Sequence, residues 1–260
     1  MLHYACAFGH LELLQYILRN PDFDIDFNIV TQQEWTPLHL ASIQGQLEVV
    51  KFLLDSSEEK GININAKDPD SDTPLCYACH NGQFDIVKLL VEHYEIRKID
   101  IFQKITLGLS PLHIACDKLH SEIVIYLLER YPKEIDVLGP MDMHLLHYAC
   151  QDKGNIELLK YIINNPNFDI DFNVVDQYGA TPLHVACYFG QIEVVKLLLE
   201  TSKRRNIDIY KQNNQGYTPE KLAEVSGHAD IAELLKSESS WQHSFRHFAN
   251  TISYIISLIE

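Results

Sequence analysis

The chain has 260 residues, of which 36 are acidic and 21 are basic, giving a formal net charge of −15. Hydrophobic residues make up 46% and charged residues 22%, a composition that excludes collagen and a chain disordered throughout. The negative charge argues against nucleic-acid binding, because phosphate contacts need a basic surface, and it disfavours binding to an anionic membrane face. A chain of this length is expected to form one or two domains.

The N-terminus and the cysteines indicate the compartment. Residues Met1–Cys6 have neither the basic stretch nor the uniform apolar core of a secretory signal, and no run of roughly 18 apolar residues occurs in the chain. Five of the six cysteines recur at one position of an internal repeat, so we expect buried thiols rather than a disulfide framework. These features predict a cytoplasmic chain without a membrane span.

A four-residue motif recurs along the chain at nearly constant spacing. Thr-Pro-Leu-His stands intact at residues 36–39 and 181–184, and degenerate copies stand at 73–76, 110–113, 144–147 and 218–221. The chain begins inside a further copy, so the third motif position recurs every 34 to 37 residues, at Leu2, Leu38, Leu75, Leu112, Leu146, Leu183 and Glu220. Such a period predicts a stack of seven repeats, beginning near residues 1, 36, 73, 110, 144, 181 and 218.

Each repeat is predicted to contain two helices joined by a tight turn and followed by a loop. In the sixth repeat, Thr181 and Pro182 form a strong helix start, and Gly190 ends that helix where a left-handed residue has no Cβ clash. The apolar spacing of residues 192–199 predicts a second, mostly buried helix. The alternation Ile207-Asp208-Ile209 predicts a short β-hairpin. The expected fold is therefore an all-α repeat solenoid with short hairpin loops.

Several elements of the repeat together resemble the ankyrin repeat: Thr-Pro-Leu-His-x-Ala, the turn glycine, Val-Val-x-x-Leu-Leu and the Asp-x-x-Gly loop. The resemblance covers residues 1–236, in repeats about four residues longer than the usual length of about 33. The surplus follows the second helix, so we expect longer second helices or larger loops there. The resemblance implies that the motif histidines hydrogen-bond between adjacent repeats: His3, His39, His113, His147 and His184.

Three departures from the pattern cluster between residues 117 and 155. Leu119 replaces the turn glycine, which costs about 1–2 kcal/mol if the left-handed conformation is kept. The following linker is shorter and contains Gly139-Pro140, and the next repeat begins with His144-Leu145 instead of Thr-Pro. We interpret the cluster as a local change of twist, or a hinge, between the fourth and fifth repeats.

Both ends of the chain differ from the interior repeats. The chain starts within a first helix, from which we expect a fragment or a truncated gene, whereas Glu220, Lys221 and Glu224 give the last repeat the polar character of a cap. Residues 237–260 carry apolar side chains on one helical stripe and predict a C-terminal helical extension. Three interpretations stay open for it: a helix packed on the last repeat, a partner-binding helix, or the start of a further domain.

Residues that resemble chemical sites fall at repeated or exposed positions. Cys76 and Cys79 form a Cys-x-x-Cys pair, but Cys79 occupies the recurring Ala-Cys position, so packing explains it better than zinc or redox chemistry. We predict no enzyme, no cofactor and no metal site. The other candidates are assigned to exposed helix positions or solvated loops: His243 and His247, Asp24 and Asp26, Asp169 and Asp171, Asp208, and the basic run Lys203–Arg205.

In the ankyrin family, hairpin tips and first helices form one concave recognition surface, and the resemblance places large side chains on it toward both ends of this chain. Aromatic residues are frequent anchors of protein interfaces, although several of these could instead pack against a neighbouring repeat. The predicted partner-binding residues are Phe8, Trp35, Ile43, Gln44, Tyr178, Tyr188, Phe189 and Tyr217.

The resemblance implies a non-catalytic protein-interaction scaffold or adaptor. Because the chain is acidic, we expect a basic or neutral protein partner, and we expect the chain to be a monomer. The alternative is an ankyrin module of a larger membrane or signalling protein, such as a channel, an acyltransferase or a kinase.

Overall fold

The computed structural model describes residues 1–20, 23, 25–93, 102–132, 138–151, 155–168 and 170–238. The chain divides into two compact units, Met1–Pro140 and Met141–Glu260, called here the N-terminal unit and the C-terminal unit. The division falls within the segment in which the sequence departs from its repeat. Most of the predicted C-terminal extension, from residue 239 onward, lies outside the described residues.

The described residues form helices, turns and loops, and they contain no β-strand. The N-terminal unit contains Leu2–Ala7 (α1), Leu11–Arg19 (α2), Pro37–Ile43 (α3), Leu47–Asp55 (α4), Ser57–Lys60 (α5), Pro74–His80 (α6), Phe84–Glu92 (α7), Pro111–Asp117 (α8) and Ser121–Arg130 (α9). The C-terminal unit contains Leu145–Cys150 (α10), Ile156–Asn164 (α11), Pro182–Tyr188 (α12), Ile192–Arg205 (α13) and Pro219–Val225 (α14), and residues 229–238 are also helical.

The first helix of most repeats begins as the motif predicts. At the start of α12, the Thr181 side-chain oxygen accepts a hydrogen bond from the His184 backbone amide, and Pro182 occupies the first turn. This cap satisfies one of the amides that have no partner within the first turn of a helix. The same cap is formed at Thr36, Thr73, Ser110 and Thr218.

The turn between the paired helices needs a left-handed residue and close packing. Gly190 has a φ of 69°, and a Cβ placed on it would lie 2.5 Å from the His228 ring of the next repeat. His228 Nε2 donates across the same turn to the Tyr188 carbonyl oxygen at 3.0 Å. Leu119 stands at the equivalent position and keeps a left-handed φ of 63°, so the strain predicted from the sequence is present.

His39, His147 and His184 connect adjacent repeats, as the resemblance implied. His39 Nε2 donates to the Asp72 carbonyl oxygen at 3.1 Å, and His184 Nε2 donates to the Tyr217 carbonyl oxygen at 3.0 Å. Nδ1 of His184 accepts a hydrogen bond from the Thr181 amide at 3.1 Å, so the neutral ring is bonded on both sides. Burial lowers the pKa of His39 and His184, because it disfavours the charged ring.

The loops between repeats are tight turns rather than the β-hairpins expected from the alternating pattern. Asp176 N–H donates to the Ala180 carbonyl oxygen at 3.0 Å, and Gly179 N–H donates to the Asp176 carbonyl oxygen at 2.9 Å. The Asp176 carboxylate also accepts from the Tyr178 and Ala180 amides, each at 2.9 Å. The Asp176 carboxylate therefore satisfies backbone amides that would be paired with a neighbouring strand in a hairpin. Ile207 is buried, so the alternation marks burial beneath the loop.

The extra residues of the longer repeats are helical. Helix α13 runs for 14 residues and ends at Asn206, which is left-handed. In the second repeat, α4 is followed at once by the short helix α5, which ends at the left-handed Gly61. The prediction of longer second helices is therefore confirmed in the sixth repeat, and an added helical turn serves the same purpose in the second.

Candidate protein-binding surface

The six cysteines are buried and none of them forms a disulfide. Burial raises the pKa of Cys76 to about 11, and Thr73 Oγ1 donates a hydrogen bond to its sulfur at 3.3 Å. Burial also raises the pKa of Cys79. Protonated, enclosed thiols are poor nucleophiles, and this environment agrees with the packing role predicted for the Cys-x-x-Cys pair.

The predicted loop carboxylates stabilise turns. Asp26 accepts a hydrogen bond from the Asn28 amide at 2.8 Å, and Asp208 accepts one from the Tyr210 amide at 2.9 Å. Within the part of the chain that the structure describes, no three His, Cys, Asp or Glu side chains are grouped to hold a metal ion. The other candidates lie outside the described residues: Asp24, Asp169, His243 and His247.

The basic run Lys203–Arg205 is not the solvated loop that the sequence predicted, because it forms the last turn of α13. The Arg205 guanidinium donates to the carbonyl oxygen of Ile162, within the last turn of α11, and to that of Phe168, beyond the end of the helix, each at 3.2 Å. It also lies 5.8 Å from the centroid of the Phe172 ring. Sequence reasoning missed this role because Arg205 reaches back into the preceding repeat.

The candidate residues of the N-terminal unit have mixed environments. Phe8 is 61% exposed and packs on Tyr4, with ring centroids 4.4 Å apart. Gln44 is exposed, whereas Ile43 is half-buried. Phe8 and Gln44 are therefore accessible at the surface.

Trp35 connects two repeats. Its Nε1 donates to the Tyr77 hydroxyl at 2.9 Å and lies 3.2 Å from an Asp68 carboxylate oxygen. Tyr77 donates to the same carboxylate oxygen at 2.6 Å, and burial followed by this hydrogen bond raises the pKa of Tyr77. Because its polar group is already bonded and the ring is half-buried, Trp35 fits packing between neighbouring repeats, the alternative that the sequence left open.

Three candidate residues of the C-terminal unit line one cleft. Tyr178 is 57%, Tyr188 56% and Phe189 40% exposed, and the cleft that they line has a volume of about 430 Å³. Every lining residue belongs to the C-terminal unit, and we call this feature the C-terminal cleft. Its other lining residues are Met141, Met143, Gln151, Asp176, Ala180, His184, Val185, Asn213, Asn214, Gln215 and Leu222.

Tyr217 has a different role from these three aromatic residues. It is half-buried, and its carbonyl oxygen accepts from both His184 Nε2 and the Asn213 amide, each at 3.0 Å. It does not line the C-terminal cleft. The structure therefore brings together three of the four candidates that the sequence placed in this part of the chain.

Two methionines in the cleft were not predicted from the sequence. Met141 is 54% exposed, whereas Met143 is buried and accepts a hydrogen bond from Gln151 Nε2 at its sulfur at 3.6 Å. Met141 and Asp142 have left-handed φ values of 60° and 57°, and the Met141 carbonyl oxygen accepts from the Gln177 amide at 2.9 Å. The available signal was composition, since the chain has only three methionines and two of them stand here.

The C-terminal cleft is apolar with a single acidic side chain in its lining. Asp176 is the carboxylate, and the lining contains neither lysine nor arginine. His184 is neutral because burial lowers its pKa. Such a site can receive an apolar side chain, and its electrostatic potential favours a cation beside that side chain.

Comparison with known proteins agrees with the repeat architecture. The family of ankyrin repeats (3 copies) matches residues 1–68, 60–139 and 145–243. The crystal structure of the human ASB11 ankyrin repeat domain superposes with a TM-score of 0.70 at 26% identity, covering 90% of this chain and 96% of that chain. No helix of the described residues is long and apolar enough to cross a membrane.

Several relatives match about a third of the chain or slightly more. An ankyrin repeat protein of Rickettsia bellii is 36% identical over 95 residues, which are 36% of this chain and 49% of that protein. Potassium channel AKT1 of Arabidopsis thaliana is 37% identical over 35% of this chain and 10% of the channel. Human diacylglycerol kinase iota is 30% identical over 41% of this chain and 10% of the kinase.

The match thus spans about half of the bacterial relative and about a tenth of the channel and the kinase. The part that these proteins share with the chain is the repeat itself. Capped first helices, left-handed turns and histidine bonds between repeats all accompany the match to the family. The chain therefore belongs to the ankyrin repeat family.

Proposed function

We propose that this chain is a non-catalytic scaffold or adaptor that binds a protein partner on its loop tips and first helices. The observation that carries the proposal is the C-terminal cleft, where Tyr178, Tyr188 and Phe189 remain exposed around an apolar depression. Exposed aromatic side chains that surround a cleft are the usual anchors of protein interfaces. The partner-binding role of the other candidates in the N-terminal unit, Phe8, Ile43 and Gln44, is proposed on their exposure or position alone.

A non-catalytic role is supported by the environment of the reactive side chains. Cys76 and Cys79 are buried, and burial raises the pKa of both thiols. His39 and His184 are committed to bonds between repeats. These groups stabilise the stacked repeats, and a catalytic role would require the side chains to give up those contacts.

The test is a lysate pull-down followed by mass spectrometry, with wild type beside a Tyr178→Ala, Tyr188→Ala, Phe189→Ala variant. The matched control is Tyr210→Ala, because Tyr210 is 48% exposed in the same unit but lies outside the cleft. We expect a protein whose recovery falls by at least about tenfold in the triple variant and stays unchanged in the control. Unchanged recovery by the triple variant, with unchanged far-ultraviolet circular dichroism, would contradict binding at the cleft.

We propose residues 1–236 as the repeat array and 237–260 as a helical extension of it. The array is the interaction region, and it is proposed to act as a monomer in the cytoplasm with a basic or neutral partner. The charge of −15 supports this choice of partner, because complementary potentials favour encounter. Light scattering of the purified chain tests the monomer.

The second candidate is that the chain is the ankyrin module of a larger protein. Its matches to a potassium channel and to a diacylglycerol kinase, each over about a tenth of the relative, favour this candidate. Sequencing of full-length transcripts tests it. In-frame sequence for membrane-spanning or kinase segments on either side would support the candidate, and stop codons at both ends would contradict it.

A further inference from the structure

We propose that the C-terminal cleft binds an extended segment of the partner protein that inserts one large apolar side chain and places a lysine or arginine next to it. This inference rests on the proposed function and specifies the chemistry of the partner. It follows from three features of the C-terminal unit: an exposed apolar wall, a left-handed turn that holds a methionine in that wall, and a lining that contains a carboxylate but no lysine or arginine.

The apolar wall is unusually open to solvent. Met141, Tyr178 and Tyr188 are each more than half exposed, and all three line the same depression of about 430 Å³. Isolated apolar side chains are common on protein surfaces, but a contiguous group around a depression marks an interaction site. A small-molecule site encloses most of its ligand, whereas these side chains face outward, so a side chain carried by a polypeptide suits the cleft better.

Met141 is held in this wall by a backbone that methionine rarely adopts. Both Met141 and Asp142 are left-handed, a conformation in which glycine or asparagine is usual. The turn is fixed by the bond from the Gln177 amide to the Met141 carbonyl oxygen at 2.9 Å. A glycine would relieve the strain but would remove the side chain from the cleft. Retained strain of this kind occurs at binding sites, and the flexible thioether adapts to varied apolar partners.

The charges around the cleft favour a cation beside the apolar anchor. Asp176 lines the cleft and Asp142, next to Met141 in sequence, is exposed. Two lysines stand close in sequence to lining residues, but neither lines the cleft. Lys221 forms an ion pair with Glu224 at 2.8 Å, and Lys211 donates to the Asn173 carbonyl oxygen at 3.0 Å. The lining therefore carries one carboxylate and neither lysine nor arginine, and the whole chain is acidic.

The experiment uses methyl-¹³C-methionine labelling of the whole chain. The chain contains three methionines, so the spectrum reports on Met141 and Met143 in the cleft and on Met1 in the N-terminal unit as an internal control. The signals are assigned with Met141→Leu and Met143→Leu. The probes are three heptapeptides: Gly-Ser-Arg-Trp-Arg-Ser-Gly, the same peptide with glutamate in place of both arginines, and the same peptide with glycine in place of tryptophan.

We expect the arginine–tryptophan peptide to shift the Met141 and Met143 signals in a saturable way and to leave Met1 unchanged. The glutamate peptide should need about tenfold higher concentration for the same shift, because it meets like charges, and the glycine peptide should cause no shift. Asp142→Asn should reduce the preference for arginine over glutamate without abolishing binding. Equal binding of the arginine and glutamate peptides, or no methionine shift at millimolar peptide, would overturn the inference.

The pull-down separates failure of this inference from failure of the proposed function. In one outcome, the triple aromatic variant loses the partner but none of the three peptides shifts the methionine signals. That outcome would support the interaction surface and contradict the proposed peptide chemistry. Saturable peptide binding with a pull-down unaffected by the triple variant would establish the pocket chemistry and reject the cleft as the partner site.

Discussion

Residues 12–54 and 157–199 repeat one another at a fixed offset of 145 residues, and the two copies are stabilised differently at one end. Both copies contain an asparagine that makes two hydrogen bonds to the following repeat. Asn28 Nδ2 donates to the Gly61 carbonyl oxygen at 2.9 Å, and its Oδ1 accepts from the Asn63 amide at 2.7 Å. The equivalent Asn173 makes the same two bonds, to Asn206 and Asp208, at 2.8 and 2.7 Å.

The copies differ in the residue that bonds to the backbone at the C-terminal end of the helix preceding this asparagine. In the second copy, Arg205 donates to carbonyl oxygens at and beyond the end of α11, and Phe168 is only 4% exposed. The corresponding residue of the first copy is Lys60, which pairs with the adjacent Glu59 at 3.2 Å, and the corresponding Phe23 is 43% exposed. A guanidinium presents five donors in a fixed planar fork, whereas an ammonium group is a compact, strongly hydrated charge with three donors. We attribute the difference in exposure at this end of the repeat to the residue at position 205 or 60.

Acid should produce the largest difference between the copies. His39 and His184 have a folded-state pKa below that of the unfolded chain, so each contributes stability above about pH 6.5 that is lost as pH falls, by at most about 1.4 kcal/mol per pH unit. Asp72, whose carbonyl oxygen binds His39, behaves oppositely. Burial and the neighbouring Asp68 and Asp70 raise its pKa to about 6, above its unfolded value, so protonation there favours the folded state.

The residue equivalent to Asp72 in the second copy is Tyr217, which has no carboxyl group. Between pH 7 and pH 5, we therefore expect α13 to lose more protection than α4. Hydrogen exchange at both pH values, corrected for intrinsic rates, measures this difference. An Asp72→Asn variant should bring α4 closer to α13. Greater loss in α4 of the wild-type chain would contradict the assignment of these pKa shifts.

Replacement of Arg205 should give the next largest effect. Arg205→Ala removes charge-assisted bonds to the end of α11 and exposes Phe168, so the free energy of opening of α11 should fall by about 2 kcal/mol. Lys60→Ala is the matched control in the other copy and should change the stability of α2 by less than about 0.5 kcal/mol. Native-state hydrogen exchange measures the free energy of opening of both helices. Equal effects of the two substitutions would remove the distinction between the copies.

Transfer of the arginine to the first copy should give the smallest effect. Lys60→Arg, combined with Glu59→Gln to release the competing ion pair, should stabilise α2 by about 1 kcal/mol. It should also reduce the accessibility of Tyr16 and Phe23, whose rings lie 6.0 Å apart. Urea denaturation and acrylamide quenching of tyrosine fluorescence measure the two results. A variant with unchanged stability and quenching would mean that the surrounding backbone, and not residue 60, determines the difference.

Much of the fold could be predicted from the sequence because it is set by contacts that recur in every repeat. The spacing of Thr-Pro-Leu-His fixed the starts of the first helices, and the missing glycine identified a strained turn at Leu119. The loops were less predictable. Alternating residues such as Ile207 satisfy the burial pattern of a strand, but the Asp176 type of side-chain bond closes the turn without one.

The candidate site was predictable only in part, because it depends on side chains that do not recur. Tyr178, Tyr188 and Phe189 stand at positions that the repeat pattern marks as variable, so they could be named in advance. Met141 could not, because its place in the cleft depends on a left-handed turn in an irregular linker. The environment of Trp35 could not be predicted for a similar reason: its bond to Tyr77 requires the geometry of two adjacent repeats.

The pair of histidine bonds at the junction of the last two repeats also limits where the chain can gain or lose residues. His184 binds forward to the Tyr217 carbonyl oxygen, and His228 binds backward to the Tyr188 carbonyl oxygen. An insertion within the turn or helix start that carries one of these bonds would move a donor away from its acceptor, so length is constrained at those places. The stretch after the second helix carries neither bond. Evolutionary drift in repeat length should therefore accumulate in that stretch, where α5 and the last turns of α13 supply the residues beyond the usual length.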